Sequence, residues 1–144
     1  MAIHGGCMCG SVRYVIAREQ LPRVICCHCR DCQTRSGSAF DQTAFVSLEI
    51  LTVTGDMVNA VSRAPSGVEV IEKFCARCHR EIFTVHPARP GEVLLRAGTL
   101  DDSASISPIA HMFTKWKQPW VTLPADVPAY AGSPTLPEII GLLD

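Results

Sequence analysis

Apolar and polar positions alternate along several short stretches of the chain. In SVRYVIA, Val12, Tyr14 and Ile16 share one face, and in VSLEIL, Val46, Leu48 and Ile50 do the same. Side chains of successive strand residues point to opposite faces, so this period of two predicts half-buried strands. EVIEKF and EIFTV fit the same pattern, and EVLLRAGTL predicts a strand running into a turn. Helical periodicity is scarce. RDCQTRSG supports a single turn after a cluster of cysteines. LPEIIGLLD predicts a short C-terminal helix starting at Pro137, since proline fits the first helical turn. Ten Gly and ten Pro are spread along the chain and cut it into short pieces bounded by turns. PARPGE (residues 87–92) and PADVPAYAGSP (residues 124–134) read as surface loops. The expectation is a mainly β chain with little helix, forming one domain over residues 1–144.

Composition narrows the function. Thirteen Lys+Arg against fourteen Asp+Glu leave a formal net charge of −1, without the basic excess that attracts nucleic acid. No apolar run approaches the roughly 18 residues that suggest a membrane span. The opening MAIHGGCMCGSVRY lacks a basic segment followed by an apolar one, so a cytoplasmic, reducing location is expected. In that compartment eight cysteines need a reason other than disulfides.

They fall into three groups: Cys7-x-Cys9, Cys26-Cys27-x-Cys29-x-x-Cys32, and Cys75-x-x-Cys78. Zinc takes tetrahedral thiolate or imidazole ligands, and C-x-x-C supplies two of them from one tight turn. On an extended segment C-x-C does likewise, so Cys7 converges with Cys9 and Cys27 with Cys29. Cys26 and His28 then face the other way, and Cys26 reads as a small buried hydrophobe. Seven ligands remain, dividing as four plus three. Cys7, Cys9, Cys75 and Cys78 would close a structural zinc site. Cys27, Cys29 and Cys32 would leave one position open, the layout of a catalytic zinc. The alternatives for this second group are a closed site completed by Cys26 or His28, or an empty thiol cluster.

FCARCHREIF also contains Cys75-x-x-Cys78-His79, the spelling of a c-type haem attachment motif. Without a visible export signal, and with four thiolates already available to zinc, neither haem nor His79 ligation is expected.

GCMCGSVRY, CHCRDCQTRSGSAF, FCARC, AGTLDD and HMFTKWKQPW, in that order, resemble the glutathione-dependent formaldehyde-activating enzyme family, to which centromere protein V-like domains also belong. The resemblance covers residues 4 to 131 and leaves 132–144 as a C-terminal tail. It implies a zinc-binding β-tent of short antiparallel sheets around a structural zinc, and the same division into a structural and a catalytic zinc, two per chain. It implies a carbon–sulfur lyase joining glutathione and formaldehyde into S-hydroxymethylglutathione. The family pattern has glycine where this chain has His79, a position suited to positive φ.

A zinc held by three thiolates is a weak Lewis acid and a poor source of hydroxide, but it still binds a further thiol as thiolate. The expected substrates are therefore a small thiol such as glutathione and an aldehyde. Added negative charge calls for nearby cations: Arg30, Arg35 and Lys117 are candidates. Ser36, Gly37 and Ser38 can offer hydroxyl or backbone donors, and His111 and Trp120 match the family pattern. Arg35, Ser36, Gly37, Lys117 and Trp120 make up the candidate substrate site. No G-x-S-x-G elbow or G-x-G-x-x-G loop occurs, and Gly5-x-x-x-x-Gly10 lacks the following Lys of a phosphate loop. The competing reading is a non-catalytic zinc module for protein interaction. Near-neutral charge argues against nucleic acid as its partner, and homo-oligomerisation is left open.

Overall fold

The structure is a computed structural model that describes residues 2–143. Ten strands run along it: β1 (Ile3–Gly6), β2 (Arg13–Ile16), β3 (Val24–Cys27), β4 (Asp41–Ser47), β5 (Leu51–Thr54), β6 (Met57–Arg63), β7 (Glu69–Cys75), β8 (Glu81–Val85), β9 (Glu92–Arg96) and β10 (Ala110–Met112). Two α-helices join them, α1 (Arg30–Ser36) and α2 (Leu136–Leu143). The protein is mainly β, as the alternation predicts. No helix among the described residues is long and apolar enough to cross a membrane. The chain divides into two compact units, one of Met1–Pro22 with Ala44–Ile106 and one of Arg23–Thr43 with Ser107–Asp144.

In the first unit β1, β2 and β5 form an antiparallel sheet, with Ile3 opposite Ile16 and Arg13 opposite Thr54. Val12, Tyr14 and Ile16 are buried, the face their spacing predicts. Strands β9, β8, β7 and β6 lie side by side in that order, each adjacent pair antiparallel. EVIEKF and EIFTV are within β7 and β8, and EVLLR forms β9 before a 3₁₀ turn at Ala97–Thr99. A register shift between Lys73 and Phe74 disturbs the pairing of β7 just before Cys75, the kind of irregularity that re-aims a side chain.

VSLEIL departs from its expected strand. Val46 is buried at the end of β4, but Leu48–Ile50 is a 3₁₀ turn and Leu48 is exposed. Ser47 decides this: its hydroxyl accepts from the Glu49 N–H at 3.2 Å, a local bond that competes with the sheet ladder.

In the second unit β10 and β3 are neighbours. β10 runs parallel to β3, with Ala110 opposite Ile25, His111 opposite Cys26 and Met112 opposite Cys27. Helix α1 is longer than the single turn expected. Cys29 caps its start, accepting from the Cys32 N–H at 3.3 Å, and Gly37 ends it at φ 68° with its N–H on the Gln33 carbonyl at 2.9 Å. That left-handed residue is where glycine's missing Cβ is needed. Helix α2 starts one residue before Pro137, behind a capping box. The Thr135 N–H donates to Glu138 Oε1 at 3.0 Å, and the Glu138 N–H reaches back to Thr135 Oγ1 at 3.4 Å. The last residue of LPEIIGLLD, Asp144, lies outside the described residues.

Candidate metal centres

Cys7, Cys9, Cys75 and Cys78 meet in the first unit, their sulfurs all within 4.8 Å of one another. Cys7 and Cys9 follow β1 in a turn rather than on the extended segment expected, the Gly10 N–H donating to the Cys7 carbonyl at 3.2 Å. Cys75 and Cys78 flank the turn between β7 and β8. Cys7 Sγ lies 3.5 Å from Cys9 Sγ, and Cys9 Sγ lies 3.8 Å from Cys75 Sγ. Donors converge on these sulfurs. Cys7 accepts from the Val12 N–H at 3.3 Å, and Cys75 accepts from the N–H groups of Arg77 and Cys78, both at 3.4 Å. The Ser11 hydroxyl, two residues past Cys9, stands 3.2 Å from Cys9 Sγ and 3.1 Å from Cys75 Sγ. Bonding from the Cys78 N–H, then from Ser11, pulls the Cys75 thiol down to about 5. A sulfur surrounded by N–H donors is stabilised as thiolate, the form that binds a metal. Four such sulfurs at this spacing fit a closed site.

His79 is exposed and outside this group. Its N–H donates to the Cys75 carbonyl at 3.0 Å and its φ is 60°. The positive φ that glycine would suit is therefore present, occupied by a histidine.

Cys27, Cys29 and Cys32 form a second group, in the second unit, with sulfurs again within 4.8 Å. Cys27 ends β3, Cys29 caps α1 and Cys32 lies on its first turn. All three are buried, and Met112 and Phe113 pack against them. Phe113 adopts φ 55°, a conformation that costs a bulky residue about 1–2 kcal/mol and often marks a functional position. Crowding divides the thiols. Hydrogen bonds from Cys27 and then Cys32 push Cys29 down to about 2, while the bond with Cys29 pushes Cys27 up to about 12 and bonds with Cys27 and Cys29 push Cys32 upward. The donor set of three buried sulfurs suits a thiophilic metal.

No fourth cysteine or histidine among the described residues joins this group. Cys26 is fully buried, and burial raises its thiol to about 12. His28 is also fully buried and turned to a different set of neighbours. Its Nε2 lies 2.8 Å from His111 Nδ1, and its ring packs 5.1 Å from Phe40. Burial, then the charges of His111 and Lys117, lower His28 to about 4, so it is held neutral.

The candidate substrate residues take different places. Gly37 and Trp120 line a cavity of 490 Å³ beside α1, with Arg30, Gln33, Thr34, Ser38, Ala39 and Gln118. Trp120 is 75% exposed there. Buried Gln33 organises the wall: its Oε1 accepts from Arg30 at 2.8 Å and Gln118 at 2.7 Å, and its Nε2 donates to the carbonyls of His28 and Trp116. Ser36 accepts from the Ser38 N–H at 3.2 Å. Lys117 donates to the carbonyls of Gln118 and Val121 at 3.1 and 2.7 Å, bracing its own loop. Arg35 turns to Cys32 and Asp41. Sequence reasoning passed over Ser11, Gln33, Gln118 and Asp41, whose positions beside a sulfur or another amide exist only in the fold.

A mainly β protein with one four-cysteine and one three-cysteine cluster is the class that fold and site define. The chain belongs to the glutathione-dependent formaldehyde-activating enzyme family, whose profile matches residues 2–116. A crystal structure of a Rhodobacter sphaeroides protein is similar in fold, with a TM-score of 0.53 and 20% identity, over 73% of this chain and 91% of that one. A comparison with curated proteins finds no match.

Proposed function

We propose that the protein is a zinc-dependent carbon–sulfur lyase that joins a small thiol, glutathione in the family's reaction, to formaldehyde. The observation that carries this reading is the three-cysteine set. Three buried sulfurs converge, Cys26 and His28 are not among them, and His28 bonds to His111 instead. A set that stops at three suits an open coordination position, whereas the four-cysteine set suits a structural role. Cys27, Cys29 and Cys32 would hold one zinc, and Cys7, Cys9, Cys75 and Cys78 the other. When bound at the first set, zinc supplies the positive charge that keeps an incoming thiol deprotonated near neutral pH.

The chain's own residues do the rest. Met112 and Phe113 shield the sulfurs from water. The cavity beside α1 offers the guanidinium of Arg30, the amide of Gln118 and the indole face of Trp120 to the body of a peptide-like thiol. In the reaction the thiol sulfur adds to the formaldehyde carbon, forming the C–S bond. The carbonyl π pair takes up the proton that the thiol gives up, and the product is a hydroxymethyl thioether. Reversal splits the same bond. Eight unpaired cysteines suit the reducing cytosol in which such a thiol is abundant.

The test is hemithioacetal formation from ¹³C-formaldehyde and glutathione, followed by NMR beside elemental analysis of zinc. Two zincs per chain and acceleration over the uncatalysed rate are expected, with Cys27→Ser losing both the second zinc and the acceleration. A Cys27→Ser protein that keeps wild-type zinc and rate would overturn the reading.

A further inference from the structure

Arg35 lies one turn beyond Cys32 on α1, a spacing of three that puts both side chains on one helix face. Its Nη2 donates to Cys32 Sγ at 3.3 Å and to Asp41 Oδ2 at 3.2 Å, and its Nη1 is 3.9 Å from Asp31 Oδ2. The arginine and Asp41 side chains are only 18% and 10% exposed. A buried ion pair adds little net stability, but it holds a planar guanidinium in one orientation, and this one is held against a sulfur.

We propose that Arg35, anchored by Asp41, is a positioning residue for the three-cysteine centre, which directs Cys32 Sγ toward the metal and draws charge off it. The proposal rests on the functional reading above. Three thiolates around a divalent ion carry an excess negative charge, and a further thiolate adds to it. A charge-assisted N–H···S bond from a fixed cation offsets that excess without becoming a ligand. Backbone N–H groups donate to sulfurs of both sets, but the side chain beside the sulfurs is the Ser11 hydroxyl at the four-cysteine set and the Arg35 guanidinium at the three-cysteine set. That contrast is what the two roles require, since only the open centre has to accept another anion. Lysine would replace the arginine only in part, because an ammonium keeps the charge but lacks the planar fork that reaches sulfur and carboxylate together.

Metal binding tests this without turnover. Metal-free full-length protein is titrated with Co²⁺ against a competing chelator, reading the thiolate-to-cobalt charge-transfer band and the affinity of each centre. Arg35→Gln is expected to weaken the three-cysteine centre by about 10–100-fold, the usual cost of removing an outer partner of a metal ligand. It should shift that centre's band and leave the four-cysteine centre unchanged. Asp41→Asn should act in the same direction, and Arg35→Lys should fall between. If Arg35→Gln does not fold, the lysine variant carries the test on the same two readouts. Two metals bound with wild-type affinity and band in Arg35→Gln and Arg35→Lys would overturn this role alone. Equal weakening at both centres would also overturn it, by showing a general structural effect. A wild-type protein that binds only one Co²⁺ would overturn the three-cysteine metal centre itself, and this role with it.

Discussion

The Tyr14 hydroxyl lies 2.8 Å from Thr99 Oγ1, and Thr99 in turn donates to the Arg96 carbonyl at 2.6 Å. One residue earlier, Arg13 forms a bidentate pair with Asp101, one arm at 3.0 Å. GCMCGSVRY and AGTLDD, separated by some eighty residues of chain, are therefore joined rung by rung in the first unit. Tyr14 is 1% exposed, and burial raises its hydroxyl to about 12. Tyr14→Phe keeps the ring and leaves Thr99 without its donor. It should cost about 1–2 kcal/mol in urea unfolding, the range for breaking one buried hydrogen bond. Gly5→Ala should cost more, because a Cβ there would stand 2.2 Å from the Tyr14 oxygen.

The four-cysteine centre ties the segment after β1 to the turn after β7. Ligand binding to the folded state alone is folding free energy. Stripping metal with a strong chelator should therefore lower the melting temperature sharply, and Cys75→Ser should do the same while losing a metal. Differential scanning calorimetry of the wild type with and without chelator checks the first expectation. Cys26→Ala is the contrasting variant: it should keep both metals and lose only packing.

His79 carries a conformational cost that its side chain does not offset, for it is exposed at φ 60°. Glycine adopts this region freely, although it also gains entropy in the unfolded chain. His79→Gly is expected to stabilise the protein by about 0.5–1 kcal/mol with zinc content unchanged. No haem absorption is expected from either protein.

Trp120 and Arg30 face the cavity beside α1, and Arg30 is the charged side chain among its described lining residues. Trp120→Ala and Arg30→Gln should raise KM for glutathione by about tenfold, roughly the 1.4 kcal/mol of a modest binding contact. Neither should change zinc content, and kcat should fall less than KM rises. Lys117→Met should act differently, since its ammonium braces a loop: the expected loss is in thermal stability.

Phe113 packs on the three-cysteine set in a strained conformation. Phe113→Ala should expose the sulfurs, speeding metal release to a chelator at that centre several-fold. Stopped-flow release monitored with a chromogenic chelator would show this as a faster phase for one metal of two.

Much of this was legible along the chain because the governing distances are short. Alternation in SVRYVIA and EIFTV follows from the strand period, and it placed Cys26 and His28 away from Cys27 and Cys29. C-x-C and C-x-x-C bring their sulfurs together within two or three residues, so each pair could be recognised locally. The positive φ of His79 was expected from the family resemblance, whose pattern has glycine at that position. VSLEIL misled for the converse reason: its apolar spacing suits a strand, and only Ser47's bond to Glu49 shows that the chain turns there.

What the sequence by itself determined is therefore the mainly β class, the grouping of cysteines and the family, each set by local spacing or by ordered motifs. Tertiary structure decided which distant groups meet. It brought Ser11 to Cys75, Arg35 and Asp41 to Cys32, His111 to His28, and Gln118 to Gln33. It also laid β10 parallel to β3. These pairings depend on strand register and chain crossover, which follow from the packing of the whole molecule and leave no local period to read.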